Sequence, residues 1–170
     1  KLLVFLEKDL MKSLQLKVLS VVASALAVVG VVVAPQAAAA ERNLVAFGDS
    51  VLADPDAGSY FAHRFDPSKV AGVDCPTSNN YAKRAGAKLR LPVRDFSCSG
   101  AVSMSPGPQV SQQVDAAIRS GALSPATNRV VITTGFNDTY NHRDMNLPQI
   151  RKQFADRTAP QIERIKRAAP

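Results

Sequence analysis

Three short stretches hold residue types that suit ester hydrolysis: Gly48-Asp49-Ser50, Ser99-Gly100 and Gly135-Phe136-Asn137-Asp138. Hydrolysis needs a nucleophile, a base to take its proton, and donors for the oxyanion of a tetrahedral intermediate. Ser50 supplies a hydroxyl just after an apolar run, Asn43 to Phe47, stops at Gly48. If a helix starts there, its free N–H groups and dipole favour developing negative charge. Gly100 lacks a side chain, so its N–H can closely approach a substrate oxygen. The Asn137 amide carries an NH₂ that can donate to the same oxygen. Asp49 and Asp138 suit a supporting task, accepting backbone N–H bonds that hold the turns carrying Ser50 and Asn137. Each piece alone is weak. Gly-Asp-Ser is a common turn, Gly100 serves ordinary turn geometry, and Asn137 suits a cap after a strand.

The elements that must position these residues follow from periodicity. Asn43 to Phe47 (NLVAF) reads as a buried strand. A short helix is expected around Ser59 to Arg64. Tyr81, Ala82, Ala85 and Leu89 recur at helical spacing within Asn79 to Leu89, with Ser78 or Asn79 as cap. Val93 to Ser97 is a weaker strand. Ser105-Pro106-Gly107-Pro108 is a loop. Gln109 to Ser120 puts Val110, Val114, Ala117 and Ile118 on one helix face, and Gly121 stops it. Arg129 to Thr134 (RVVITT) is the clearest strand. From about Pro148, the residues Ile150, Phe154, Ile162 and Ile165 predict a helix interrupted or kinked at Pro160. The order β, α, β, α, β, α predicts a parallel sheet with helices on both faces. Sites in such sheets form at the carboxyl ends of the strands. All three chemical stretches sit at those ends.

The chain has 170 residues, enough for one domain. Residues 1–10 precede the first Met and are set aside as an upstream extension foreign to the fold. Met11 to Ala40 reads as a signal peptide. Lys12 and Lys17 open it, Val18 to Ala34 is uncharged and mostly apolar, and Ala38-Ala39-Ala40 is a small-residue cleavage site. An uncleaved membrane anchor is the competing reading, and Pro35 with the small-residue tail favours cleavage. Residues 41–170 are then the domain. The protein is expected to be secreted or held in the cell envelope, touching membrane only through the leader before cleavage. The chain has 21 basic and 14 acidic residues; four and two of these lie in residues 1–40, which leaves +5. No dense Lys/Arg run is interleaved with aromatics, so nucleic acid is not an expected partner. The cluster Arg164, Lys166 and Arg167 suits the end of a helix. Two cysteines, Cys75 and Cys98, suggest one disulfide in an exported protein, with two buried thiols as the alternative. Such a bridge closes a loop of about two dozen residues, worth roughly 3 kcal/mol. Two Cys and two His without ligand spacing give no metal pattern, and no cofactor is expected.

Taken together, GDS at 48–50, the glycine of CSGA at 98–101, and GFND at 135–138 resemble the first three sequence blocks of the SGNH, or GDSL, hydrolases. The segment CPTSNNYAKRAGAKLRLPVRDFSCSGA is similar to that of secreted actinobacterial members, whose cysteines at matching places form a disulfide. The resemblance spans about residues 43–140. It implies a flavodoxin-like, three-layer α/β/α fold and hydrolysis of carboxylic esters. Ser50 matches the family's nucleophile, Gly100 its oxyanion glycine and Asn137 its oxyanion asparagine. The base departs from the pattern. The family takes its histidine from a final Asp-x-x-His block, and this chain has only His63 and His142, preceded at that spacing by Tyr60 and Thr139. The expectation is therefore the N-terminal part of a longer serine esterase or lipase, weakly active or inactive as it stands, with its catalytic His and Asp outside the 170 residues. His142 is a poor substitute base, and His63 reads as a surface residue. The substrate class is a small ester, a lipid or an acylated glycan. The competing reading is a catalytically inactive envelope module that binds lipid or glycan. A nucleotide-binding domain is weaker, because Asp49 would repel phosphate.

Overall fold

The computed structural model describes residues 42–170, so the expected leader and the stretch before it lie outside the described residues. Three strands, β1 (Asn43–Gly48), β2 (Val93–Asp95) and β3 (Thr127–Thr133), form a parallel sheet in the order β2-β1-β3. Leu44 pairs with Val93 on one side, and Gly48 with Thr133 on the other. Every residue of β1 is buried, as an apolar central strand covered on both faces must be.

Among the described residues the helices are α1 (Ser50–Ala53), α2 (Ala57–Arg64), α3 (Tyr81–Leu89), α4 (Val110–Arg119), α5 (Phe136–Asn141) and α6 (Leu147–Ala168). Alternate residues of β1 point to opposite faces. Val45 and Phe47 pack against Val110, Val114 and Ala117 of α4 and Ile165 of α6. Leu44 and Ala46 pack against Leu52 of α1 and Ala82 of α3. Full burial of one such side chain as large as Phe47 stabilises by about 2 kcal/mol. The expected α/β class, parallel sheet and helices on both faces are therefore present.

Several boundaries differ from expectation, each for a local reason. β2 ends at Asp95, not Ser97, because Asp95 Oδ1 accepts the Ser97 N–H and hydroxyl at 3.0 and 2.6 Å and turns the chain. The cap of α3 is Asn80, not Asn79 or Ser78. Its side-chain oxygen accepts the Ala82 and Lys83 N–H groups at 3.1 and 3.2 Å. Its amide also donates to Asp95 Oδ2 at 2.7 Å, tying α3 to β2. α2 begins at Ala57 because Asp56 accepts the Ser59 N–H and hydroxyl. Gln113, not Ile118, takes the inward place on α4; Ile118 is 37 % exposed. β3 starts at Thr127 and ends at Thr133. The interruption at Pro160 does not occur: α6 runs through it from Leu147 to Ala168. The proline removes one donor, and in the preceding turn Thr158 Oγ1 donates to the Phe154 carbonyl at 2.7 Å.

The chain passes from β1 to β2 on one side of the sheet, then to β3 on the other side of β1. The carboxyl ends of β1 and β3 therefore meet where the strand order reverses, the place at which such sheets open a crevice.

Candidate active site

β1 ends against β3 with no room for a side chain. A Cβ on Gly48 would lie 2.4 Å from the Thr133 carbonyl oxygen. The next residue, Asp49, donates its N–H to that same carbonyl at 3.0 Å. Its carboxylate caps α1 by accepting the Val51 N–H at 2.9 Å. Asp49 thus holds the turn that carries Ser50, as expected. Ser50 is the first residue of α1 and is exposed. Among the described residues neither its N–H nor its Oγ has a hydrogen-bond partner. α1 is a single turn, so the helix dipole expected to favour negative charge is small, and the Ser50 N–H itself is the useful donor.

Gln113 supports this turn from below. Its buried side chain accepts the Gly48 N–H at 2.8 Å and donates to the Gly48 carbonyl at 2.9 Å. The same carbonyl accepts the Cys98 N–H at 2.9 Å. One residue, two positions before Ser50, is therefore pinned by α4 and by the chain beyond β2.

Gly100 lies in a tight turn closed by the Ala101 N–H on the Cys98 carbonyl, at 3.1 Å. Its φ of +82° is a conformation that glycine adopts without strain. No atom lies within 4 Å of where its Cβ would stand, so this face of the turn is open. Cys98 at the base of the turn is fully buried and forms a disulfide with Cys75, with Cα atoms 5.2 Å apart. The disulfide anchors the loop of Gly100 to the core.

Asn137 lies in the first turn of α5. Its Nδ2 donates to the Ala101 carbonyl at 2.9 Å, joining the end of β3 to the loop of Gly100. One amide hydrogen is used there, and the second remains for another acceptor. Asp138 is fully buried, and its role differs from the expected one. It does not hold its own turn. It accepts the N–H groups of Ser103, Met104 and Ser105 at 2.8, 2.8 and 2.9 Å, and the Ser105 hydroxyl at 3.0 Å. It fastens the loop after Gly100 onto the end of β3. Ser50, Gly100 and Asn137 are thus on three segments joined by short, mostly buried hydrogen bonds.

Burial pushes the Asp49 carboxyl above the ordinary carboxylate range. The Val51 and Phe136 N–H groups oppose this, and the Asp138 charge adds to it. Phe136 lies close enough to favour the charged form, yet no hydrogen bond closes on Asp49 Oδ2, which is buried without a partner.

Of the two histidines, His63 departs from expectation. His63 is not a surface residue: it is half-buried, and its Nε2 faces the Val73 carbonyl at 3.3 Å. His142 caps the carboxyl end of α5, with Nε2 buried and unpartnered. Neither is joined to Ser50. Among the described residues no group of three or more His, Cys, Asp or Glu could hold a metal ion, and no helix is long and apolar enough to cross a membrane.

Gln113 and Asn80 were missed in the sequence. The available signals were a polar residue on the apolar face of α4 and a second cap-forming Asn just before α3. A scan of known family models and a search of curated proteins find no match to the chain.

Proposed function

We propose that the protein is an exported serine hydrolase of the SGNH type that cleaves carboxylic esters. Ser50 Oγ attacks the ester carbonyl. The N–H groups of Ser50 and Gly100, with the second Asn137 amide hydrogen, hold the resulting oxyanion. The observation that carries this reading is the Asn137 to Ala101 bond, which draws two proposed donors from separate strand ends onto one loop. The strand order β2-β1-β3 supports it, since flavodoxin-like sheets begin in that order. The open face of Gly100 and the free Ser50 hydroxyl agree with close approach of a substrate. The disulfide agrees with an oxidising compartment. The general base is assigned to neither His63 nor His142; in this reading it is a histidine oriented by an acid, from outside these residues.

A second reading, an envelope module that binds lipid or glycan without cleaving it, is favoured by one observation. Among the described residues Ser50 Oγ has no proton acceptor. Labelling with a fluorophosphonate probe followed by peptide mass spectrometry separates the two. The hydrolase reading predicts an adduct on Ser50 that is absent in Ser50→Ala. No adduct on Ser50 in the longest form that the reading frame encodes favours the binding module.

A further inference from the structure

A second concave site adjoins the proposed donors. A cavity of about 320 Å³ lies between α2, the segment that follows it, and the loop of Gly100. Ser99, immediately before Gly100, is part of its wall, and so is Pro55, shortly after α1. Cys75 and Pro76 form another wall, held by the disulfide. Gly72 packs so closely on Pro108 that an added Cβ would lie 2.8 Å from it, which fixes a third side.

The charge of this cavity has one sign. Its lining includes Arg64, Lys69 and His63 and no acid. Among the described residues neither Arg64 nor Lys69 is in a salt bridge. The Arg64 guanidinium lies 5.9 Å from the Tyr60 ring centroid and donates to the Tyr60 hydroxyl at 3.3 Å, so it is partly oriented. His63 turns its Nε2 to the Val73 carbonyl and serves as wall. Asp66, three residues before Lys69, is half-buried and not part of the lining. Its Oδ1 accepts the Ser68 hydroxyl and N–H, at 2.7 and 2.9 Å. The charges of Lys69 and His63 act on it more weakly. Among the described residues Asp66 forms no salt bridge with either Arg64 or Lys69. An oriented guanidinium and a nearby ammonium match an oxyanion with several acceptor oxygens.

We propose that this cavity binds a phosphate group, and that in the esterase it receives the phosphate of an acylated substrate. The second clause rests on the hydrolase reading; the binding itself does not. Arg64 forks onto two phosphate oxygens, Lys69 closes from the other side, and the Ser99 end of the cavity directs the rest of the molecule toward Gly100.

The test measures binding of two probes, glycerol 1-phosphate and vesicles of phosphatidylglycerol, by titration calorimetry and co-sedimentation. The proteins are wild type, Arg64→Gln/Lys69→Gln, and Lys88→Gln/Arg151→Gln, which loses the same charge on exposed helix positions away from the cavity. Saturable binding of either probe that the cavity variant weakens at least tenfold, while the control variant keeps it, supports the proposal. Binding of glycerol phosphate identifies a soluble phosphoester as the source, and binding of vesicles alone identifies a lipid headgroup. No saturable binding, or equal weakening by both variants, overturns it. Ser50→Ala should bind the probes like wild type, and hydrolysis that survives in Ser50→Ala counts against the esterase reading alone. A thermal melt confirms that each variant is folded.

Discussion

The strand ends and the segment from 54 to 76 flank the same loop of Gly100 and are held by opposite means. At the strand ends the ties are buried polar side chains that reach far along the sequence. Gln113 bonds a residue 65 positions away, and Asp138 bonds residues 33 to 35 positions away. In the other segment α2 has no buried residue. Its side-chain hydrogen bonds are mostly local, such as Asp56 to Ser59 and Asp66 to Ser68. Its links beyond the segment include the disulfide at Cys75, the packing of Gly72 on Pro108 and a bond from the Ser78 hydroxyl to Asp54. Phe61 and Phe65 stack in solvent at 5.9 Å rather than in a core. On the proposed reading the difference has a physical sense. A nucleophile and its oxyanion donors must be held to a fraction of an ångström, which buried, fully bonded groups achieve. A recognition surface needs its cations and rings in solvent until a ligand arrives.

Breaking the rigid side has the largest effect. Asp138→Ala leaves three backbone N–H groups and a hydroxyl without their acceptor, and should cost about 4 kcal/mol or more. Urea unfolding reads this directly, and a change below about 1 kcal/mol would mean that water replaces the carboxylate. The link between the two regions comes next. Cys75→Ser with Cys98→Ser should cost roughly 3 kcal/mol, and protease nicking should appear first between residues 54 and 76. Cleavage starting at the strand ends instead would reverse the contrast. On the local side, Asp56→Ala removes the cap of α2 and the Ser59 hydroxyl bond, and should lower the urea midpoint less than either of the other two changes.

The smallest effect is on pH dependence. Asp49 holds its proton to higher pH in the folded state than in the unfolded chain, because burial raises it. The folded state therefore binds more protons in the window above the ordinary carboxylate value. In that window the Asp49 contribution falls as pH rises and returns as pH falls. Asp49→Asn keeps an oxygen to accept the Val51 N–H and removes the titration. Its urea midpoint, relative to wild type, should rise as pH increases above the ordinary carboxylate value of about 4. A difference that stays flat with pH would show that Asp49 does not titrate in this way.

Much of this fold is visible in local pattern. NLVAF is apolar without a break because β1 is covered on both faces, and RVVITT marks β3. The helical spacing of Val110, Val114 and Ala117 places the inward face of α4. What stays hidden depends on partners far along the chain. Asp138 looks like a residue that holds its own turn, and only the packed sheet brings Ser103 to Ser105 beneath it. Asn79 and Asn80 are equally good caps in sequence, and the choice falls on Asn80, whose amide also meets Asp95. Gln113 reads as a flaw in an apolar face until Gly48 is seen against it. Ser50, Gly100 and Asn137 stand out in sequence because each sits just beyond the end of a predicted strand.

The central claim is that Ser50 and Asn137 act on one substrate carbonyl. It is tested most directly by steady-state hydrolysis of a p-nitrophenyl ester by the longest form of the protein that the reading frame encodes. Ser50→Ala should abolish turnover. Asn137→Ala should lower kcat by about 10²–10³ and leave KM nearly unchanged, the loss expected for one oxyanion donor. A wild type without turnover, or an Asn137→Ala variant that turns over like wild type, would contradict the account.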